Sequence, residues 1–178
     1  MNYSPRHNDT KMRAIYGVLV VLAFAFMNIG TGLVQTIFMS LSVICLCFGV
    51  FLFIRHDMTT YTYIVYDNEG ELEFFVDKAT GKRNAYVCYY PLCDCVTLLK
   101  YEKGTKKEIE EKYGKTFFYN YCHNRFSYEK YIIVFQNNGY CDAVICQLDQ
   151  VNYEYLQNAI STAHEKAKEN KEEPTTEE

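Results

Sequence analysis

Apolar and polar positions are segregated along this chain. From Ala14 to Ile54 there is no Asp, Glu, Lys, Arg or His, and every charge lies outside that stretch. One helix of that length, at about 1.5 Å per residue, would run about twice the span of a bilayer's hydrocarbon core. Gly30-Thr31-Gly32 supplies a break, because two glycines release the backbone for a tight turn. The pattern therefore predicts a membrane α-helical hairpin, Ala14–Ile29 and Leu33–Ile54. The first segment is short for a span unless Lys11 and Arg13 snorkel.

From Thr60 the period changes to two, the mark of half-buried strands. Strands are expected at Thr60–Asp67, Glu71–Asp77, Asn84–Tyr90 and Cys93–Tyr101. A charged stretch, Glu102–Gly114, follows as a loop with one or two helical turns. Three further strands are expected at Lys115–Cys122, Lys130–Gln136 and Tyr140–Leu148, the last two joined at Asn137-Asn138-Gly139, a strong hairpin signal. Asp149 is a suitable N-cap for a closing helix, in which Tyr155, Leu156, Ala159, Ile160 and Ala163 form one apolar stripe. The acidic segment Asn170–Glu178 has no apolar residue and reads as a solvated tail. The expected divisions are residues 1–13, a basic N-terminus; 14–54, the hairpin; 55–169, a soluble α+β domain; and 170–178, the tail.

Charge then sets orientation. Arg6, Lys11 and Arg13 precede the first span and Arg55 follows the second, while the turn between them is uncharged. The positive-inside rule places both termini in the cytoplasm, so a multi-pass cell-membrane protein is expected. A cleaved signal peptide over Ala14–Ile29 is the rival reading, opposed by the second uncharged span three residues later.

Four strands, three strands and a helix would make two antiparallel sheets with one end plugged. That order, together with the stretches Tyr61–Lys82 and Lys130–Ala159, resembles the pleckstrin-homology (PH) domain. With the helical hairpin ahead of it, the chain from Ala14 to about Glu169 is similar to bacterial membrane-anchored PH-like proteins. The resemblance implies seven antiparallel strands capped by a C-terminal helix. It also raises lipid recognition, which in PH domains uses basic residues around the first hairpin loop. Here that loop, Asp67-Asn68-Glu69-Gly70-Glu71, is acidic, and the next turn carries Lys78, Lys82 and Arg83 instead. Those three are the candidate contacts to an anionic leaflet.

Composition narrows the remaining chemistry. Residues 55–178 hold 15 Lys and Arg against 21 Asp and Glu, a net −6 that disfavours nucleic acid. No G-x-S-x-G, H-E-x-x-H or phosphate-binding loop occurs, and His7, His56, His123 and His164 fall in separate sequence contexts, so no enzyme activity and no cofactor is expected. Among eight cysteines, Cys93 and Cys95 with Cys122 or His123 are the set most able to hold a metal, although no C-x2-C pair is present. Seventeen tyrosines and twelve phenylalanines exceed what a small core can hide, and Tyr86, Tyr90, Phe118, Tyr119 and Tyr121 are the expected exposed strip. The leading expectation is a non-enzymatic membrane protein whose PH-like domain serves protein–protein or scaffold interaction, with a protein partner or a second copy. An anionic-lipid-sensing anchor and a Cys-ligated metal or redox module are the alternatives.

Overall fold

The computed structural model describes residues 1–5, 10–123 and 129–172. Arg6, His7 and the tail residues 173–178 lie outside it. Two helices, α1 (Thr10–Met27) and α2 (Leu33–His56), form the expected hairpin, and both are long and apolar enough to cross a membrane. Helix α1 begins four residues before Ala14, so Lys11 and Arg13 belong to it. Its 18 residues make about 27 Å, close to the hydrocarbon thickness. Small residues line the seam: Ala23 and Ser42 are fully buried, and the Ser42 hydroxyl donates to the Ala23 carbonyl across it (2.9 Å). Outward positions such as Val18, Val21, Phe24, Ile37 and Ile44 are exposed and apolar, as lipid-facing positions require.

The soluble domain holds β2 (Thr59–Asn68), β3 (Glu71–Thr80), β4 (Arg83–Pro91), a short 3-10 turn (Leu92–Asp94) and β5 (Cys95–Lys100). Helix α3 (Thr105–Tyr113), β6 (Thr116–Asn120), β7 (Lys130–Asn137), β8 (Tyr140–Gln147) and α4 (Gln150–Glu172) follow. A two-residue strand ahead of the hairpin, β1 (Asn2–Tyr3), pairs with β2 at Ile64 and Tyr63. The sheets run β1-β2-β3-β4 and β5-β7-β8-β6.

Three expectations are corrected here. Eight strands are present among the described residues, not seven, because the N-terminal residues contribute β1. The fourth expected strand, β5, does not close the first sheet but pairs with β7 in the second. The arrangement is not wholly antiparallel, since β6 runs parallel to β8. A parallel return to the same sheet requires a long crossover, and residues 101–115, carrying α3, provide it. Helix α3 thereby covers the far face of the second sheet, where Ile109 packs on Ile132, Val134, Cys141, Ala143 and Ile145. Strands β7 and β8 are consequently buried on both faces and read as unbroken apolar runs, Tyr131–Phe135 and Ala143–Cys146.

The main core lies between the sheets, where Tyr63, Phe74, Val76, Ile133, Phe135 and Val144 meet Leu156, Ala159 and Ala163 of α4. Asp149 caps α4, accepting from the Asn152 amide (2.8 Å). The β7–β8 turn is Asn138-Gly139, with Gly139 at φ +84°, a conformation only glycine adopts without strain. Tyr63 ties the sheets together: its hydroxyl donates to the Tyr121 carbonyl (2.8 Å) and accepts from the Gln147 amide (3.1 Å).

Leu156 is fully buried while Val151, on the same helix, is 74% exposed. Leu156→Ala should therefore lower unfolding free energy by about 2–5 kcal/mol, and Val151→Ala should leave it within about 0.5 kcal/mol. Urea midpoints of the detergent-solubilised chain, followed by near-UV circular dichroism, check both.

Candidate functional site

Both ends of the hairpin meet the same end of the domain. Helix α2 passes through Asp57 and Met58 into β2, and the Asp57 carboxylate turns back to α1, pairing with Arg13 (3.0 Å) and accepting from the Tyr16 hydroxyl. On the other flank β1 leads into α1, and the Met1 amine donates to the Val65 carbonyl (2.9 Å). The β3–β4 turn is drawn in as well, because the Gly81 amide donates to the Met58 carbonyl (3.0 Å). This brings Lys82 and Arg83 beside the end of α2, a position the sequence alone does not reveal.

Two clefts open at this junction. A cavity of about 90 Å³ is lined, among the described residues, by Arg55, His56, Tyr61, Asn120, Cys122, His123 and Lys130. A wider cleft of about 400 Å³ adjoins it, sharing Arg55 and Tyr61 and adding Phe51, Ile54, Thr59, Lys78 and Thr80. Of the three expected lipid contacts, Lys78 lines this second cleft and Lys82 and Arg83 sit on the adjoining turn. Burial raises the Tyr61 pKa, and the Arg55 charge works against that rise. Burial likewise pushes the Cys122 thiol up to about 12, against the opposing charge of Lys130. His56 and His123, separate in sequence, line one cavity.

The expected metal set is divided between the two ends of the domain. Cys122 and His123 lie at the hairpin end. Cys93 is exposed on the 3-10 turn and lines a far-end cleft with Gly70, Leu72, Ala163 and Lys166, while Cys95 is buried opposite Phe135 on β7. Among the described residues no group of three His, Cys, Asp or Glu side chains is placed to hold a metal ion. All eight thiols are free, and burial holds Cys88 and Cys95 up at about 12, away from the thiolate form that ligation or nucleophilic attack needs.

The expected aromatic strip is also divided. Tyr90 stacks on Phe135 (4.4 Å, 9°), Tyr121 packs on the main core and Phe118 packs beneath α3, so only Tyr86 and Tyr119 of the five are exposed. A different group forms the outer face of the first sheet: Tyr66, Phe75, Tyr86 and Tyr89. Phase explains it, since alternate strand residues face opposite ways and Val65, Phe74 and Val76 point to the core. Phe75 touches both Tyr89 (5.0 Å) and Tyr86 (6.2 Å). Beneath the rings Glu73 is only 6% exposed, and its carboxylate accepts from the Tyr89 hydroxyl (2.8 Å). Tyr86 is 79% exposed, and none of these outer aromatics belongs to either core cluster.

One buried carboxylate had no sequence signal. Asp142 sits on β8 facing the inter-sheet core, 5% exposed, with one oxygen accepting from Asn137 (3.3 Å). Burial first, then this carboxylate, raises the pKa of Tyr90 and Tyr119. No protein-family model, curated protein or solved structure matches the chain.

The buried thiols set a pH response. Cys88, Cys95 and Cys122 shift from 9.0 to about 12 on folding, so the folded chain holds these protons more tightly than the unfolded chain. Their contribution to stability is complete below about pH 9 and is lost as pH climbs toward 12. Thermal unfolding in detergent should accordingly show a flat Tm from pH 7 to 8.5 and a progressive fall from pH 9 to 11.

Proposed function

We propose that this chain is a non-enzymatic, membrane-tethered interaction module whose first sheet presents its outer face to a protein partner. The observation that carries this reading is the Tyr66–Phe75–Tyr86–Tyr89 surface with the Glu73 carboxylate set beneath it. Rigid aromatic area beside a desolvated charge is the composition of interface anchors. Glu71, Glu73 and Asp77 share that face of β3, so a cationic partner segment is the complementary one. Two sheets with α4 packed on their shared core support a PH-like kinship, from which the parallel β6–β8 pair departs.

In this reading the hairpin crosses the cell membrane twice and the domain is cytoplasmic. Lys11 and Arg13 at one end of the hairpin and Arg55 at the other support that orientation. A second reading, attraction of the domain to an anionic leaflet, is favoured by one observation. Lys78 shares a cleft with Phe51, Ile54 and Arg55 at the end of α2, with Lys82 and Arg83 nearby. Each cation near such a surface contributes about 1 kcal/mol.

Photo-crosslinking tests the interaction face in native membranes. p-Benzoylphenylalanine at position 86 should give a discrete adduct that Tyr89→Ala removes, while the same group at the exposed position 151 of α4 should give none. Its mass separates a second copy of this chain from a different partner. Equal labelling at both positions, or none at position 86, would contradict the proposal.

A further inference from the structure

The outer face of the first sheet carries a spaced pattern in addition to its aromatic area. On β3 that face presents Glu71, Glu73, Phe75 and Asp77 in turn. Opposite them β4 is bulged: Val76 pairs with Cys88 and Asp77 with Tyr86, which leaves Val87 as an extra residue. Strict alternation would send Tyr86 and Tyr89, three positions apart, to opposite faces. The bulge instead turns Val87 and Cys88 together toward the core, and both tyrosines toward Phe75 on the outside.

Register then sets an aromatic ring beside each carboxylate. Asp77 is directly paired with Tyr86, and Glu73 accepts from the Tyr89 hydroxyl (2.8 Å) with Tyr66 flanking it from β2. The ion pairs among the described residues are Arg13–Asp57, Lys100–Glu129, Lys107–Glu111 and Lys166–Asp67, so none of these takes up Glu71, Glu73 or Asp77. Lys78 alternates to the opposite face, where it lines the cleft beside α2. A second copy presenting the same face would set like charges against each other, so complementarity selects a cationic partner.

We propose that this face recognises an extended segment of the pattern cation-x-apolar-x-cation, with the cations over Glu73 and Asp77 and the apolar side chain on Phe75. The inference rests on reading this face as a partner surface and adds the spacing and conformation of the partner. Successive same-face positions on a strand are about 6.6 Å apart, so Glu73, Phe75 and Asp77 span about 13 Å and an extended chain matches them one for one. A helix advances only about 5.4 Å per turn and falls about 2 Å short over two turns. Each cation gains twice, from the face of a tyrosine ring and from the carboxylate next to it. Arginine suits both positions, because its planar guanidinium stacks on a ring while its N–H groups reach an acid.

Peptide binding to the full chain in phosphatidylcholine nanodiscs tests the pattern, read by fluorescence anisotropy. The matched probe contains Arg-Thr-Leu-Thr-Arg. An isomer with adjacent cations, Arg-Arg-Thr-Thr-Leu, and an alanine-rich helix carrying Arg, Leu and Arg on successive turns are the comparisons. The matched probe should bind saturably and several-fold more tightly than either. Asp77→Asn should weaken it about three- to fivefold, as loss of one exposed ion pair does. Tyr86→Ser should weaken it too, while Glu110→Gln on α3 should leave it unchanged. Equal binding of the two isomers, or an equal loss with Glu110→Gln, would overturn the proposal, because net charge alone would then explain the attraction. Tighter binding of the helix would overturn the extended conformation. No saturable binding of any probe would overturn the pattern as well. A crosslinked adduct at position 86 alongside that result would leave the interaction face standing, whereas its absence would remove the face itself.

Discussion

One constraint organises this protein: a single domain grips both ends of its helical hairpin. Asp57, at the exit of α2, is bound by Arg13 and Tyr16 near the entry of α1, and β1 fixes the chain ahead of α1 onto β2. An exposed ion pair such as Arg13–Asp57 is worth only a few tenths to about 1 kcal/mol by itself. Combined with a strand pairing on the other flank, it leaves the hairpin little freedom to swivel. The consequence is a defined junction in which the end of α2, the β3–β4 turn and the start of β7 are neighbours.

The two ends of the domain carry opposite chemistry as a result. Glu69, Gly70 and Glu71 turn the chain at the end away from the hairpin, where Lys166 of α4 pairs with Asp67 (3.8 Å). Arg55, Lys78, Lys82, Arg83 and Lys130 gather toward the hairpin. In an acidic domain polarised in this way, the net charge conceals a difference in local charge between the two ends. The aromatic face of the first sheet runs between these ends.

Much of the fold was legible because the signals are local. A charge-free stretch cut by Gly30 and Gly32 gives two helices, alternation at Glu71–Asp77 gives β3, Asn138-Gly139 gives a hairpin, and Asp149 caps α4. What was not legible is partnership. Periodicity states which face of a strand is buried and not which strand lies beside it, so neither the β5–β7 pairing nor the parallel β6–β8 pair leaves a mark in the sequence. Asn2-Tyr3 is too short for any period, so β1 carried no signal. The same limit applies to the site. Cys93 and Cys95 are close in sequence but lie at the far end from Cys122 and His123, while Arg55 and Lys130 are distant in sequence and share a cavity. In the aromatic strip, Tyr90 and Tyr121 turn inward because strand phase, not aromaticity, decides exposure.

The central claim is that the hairpin lies in a bilayer with the basic end of the domain at its surface. The chain contains no tryptophan, so one introduced tryptophan is the only indole and can be excited selectively at the red edge, beyond the tyrosines. Lys82→Trp places it at the hairpin end and Asn68→Trp at the opposite turn. In nanodiscs containing lipids brominated near the headgroup, the account predicts strong quenching of the tryptophan at position 82 and none at position 68. Equal quenching at both positions, or quenching at neither, would contradict it.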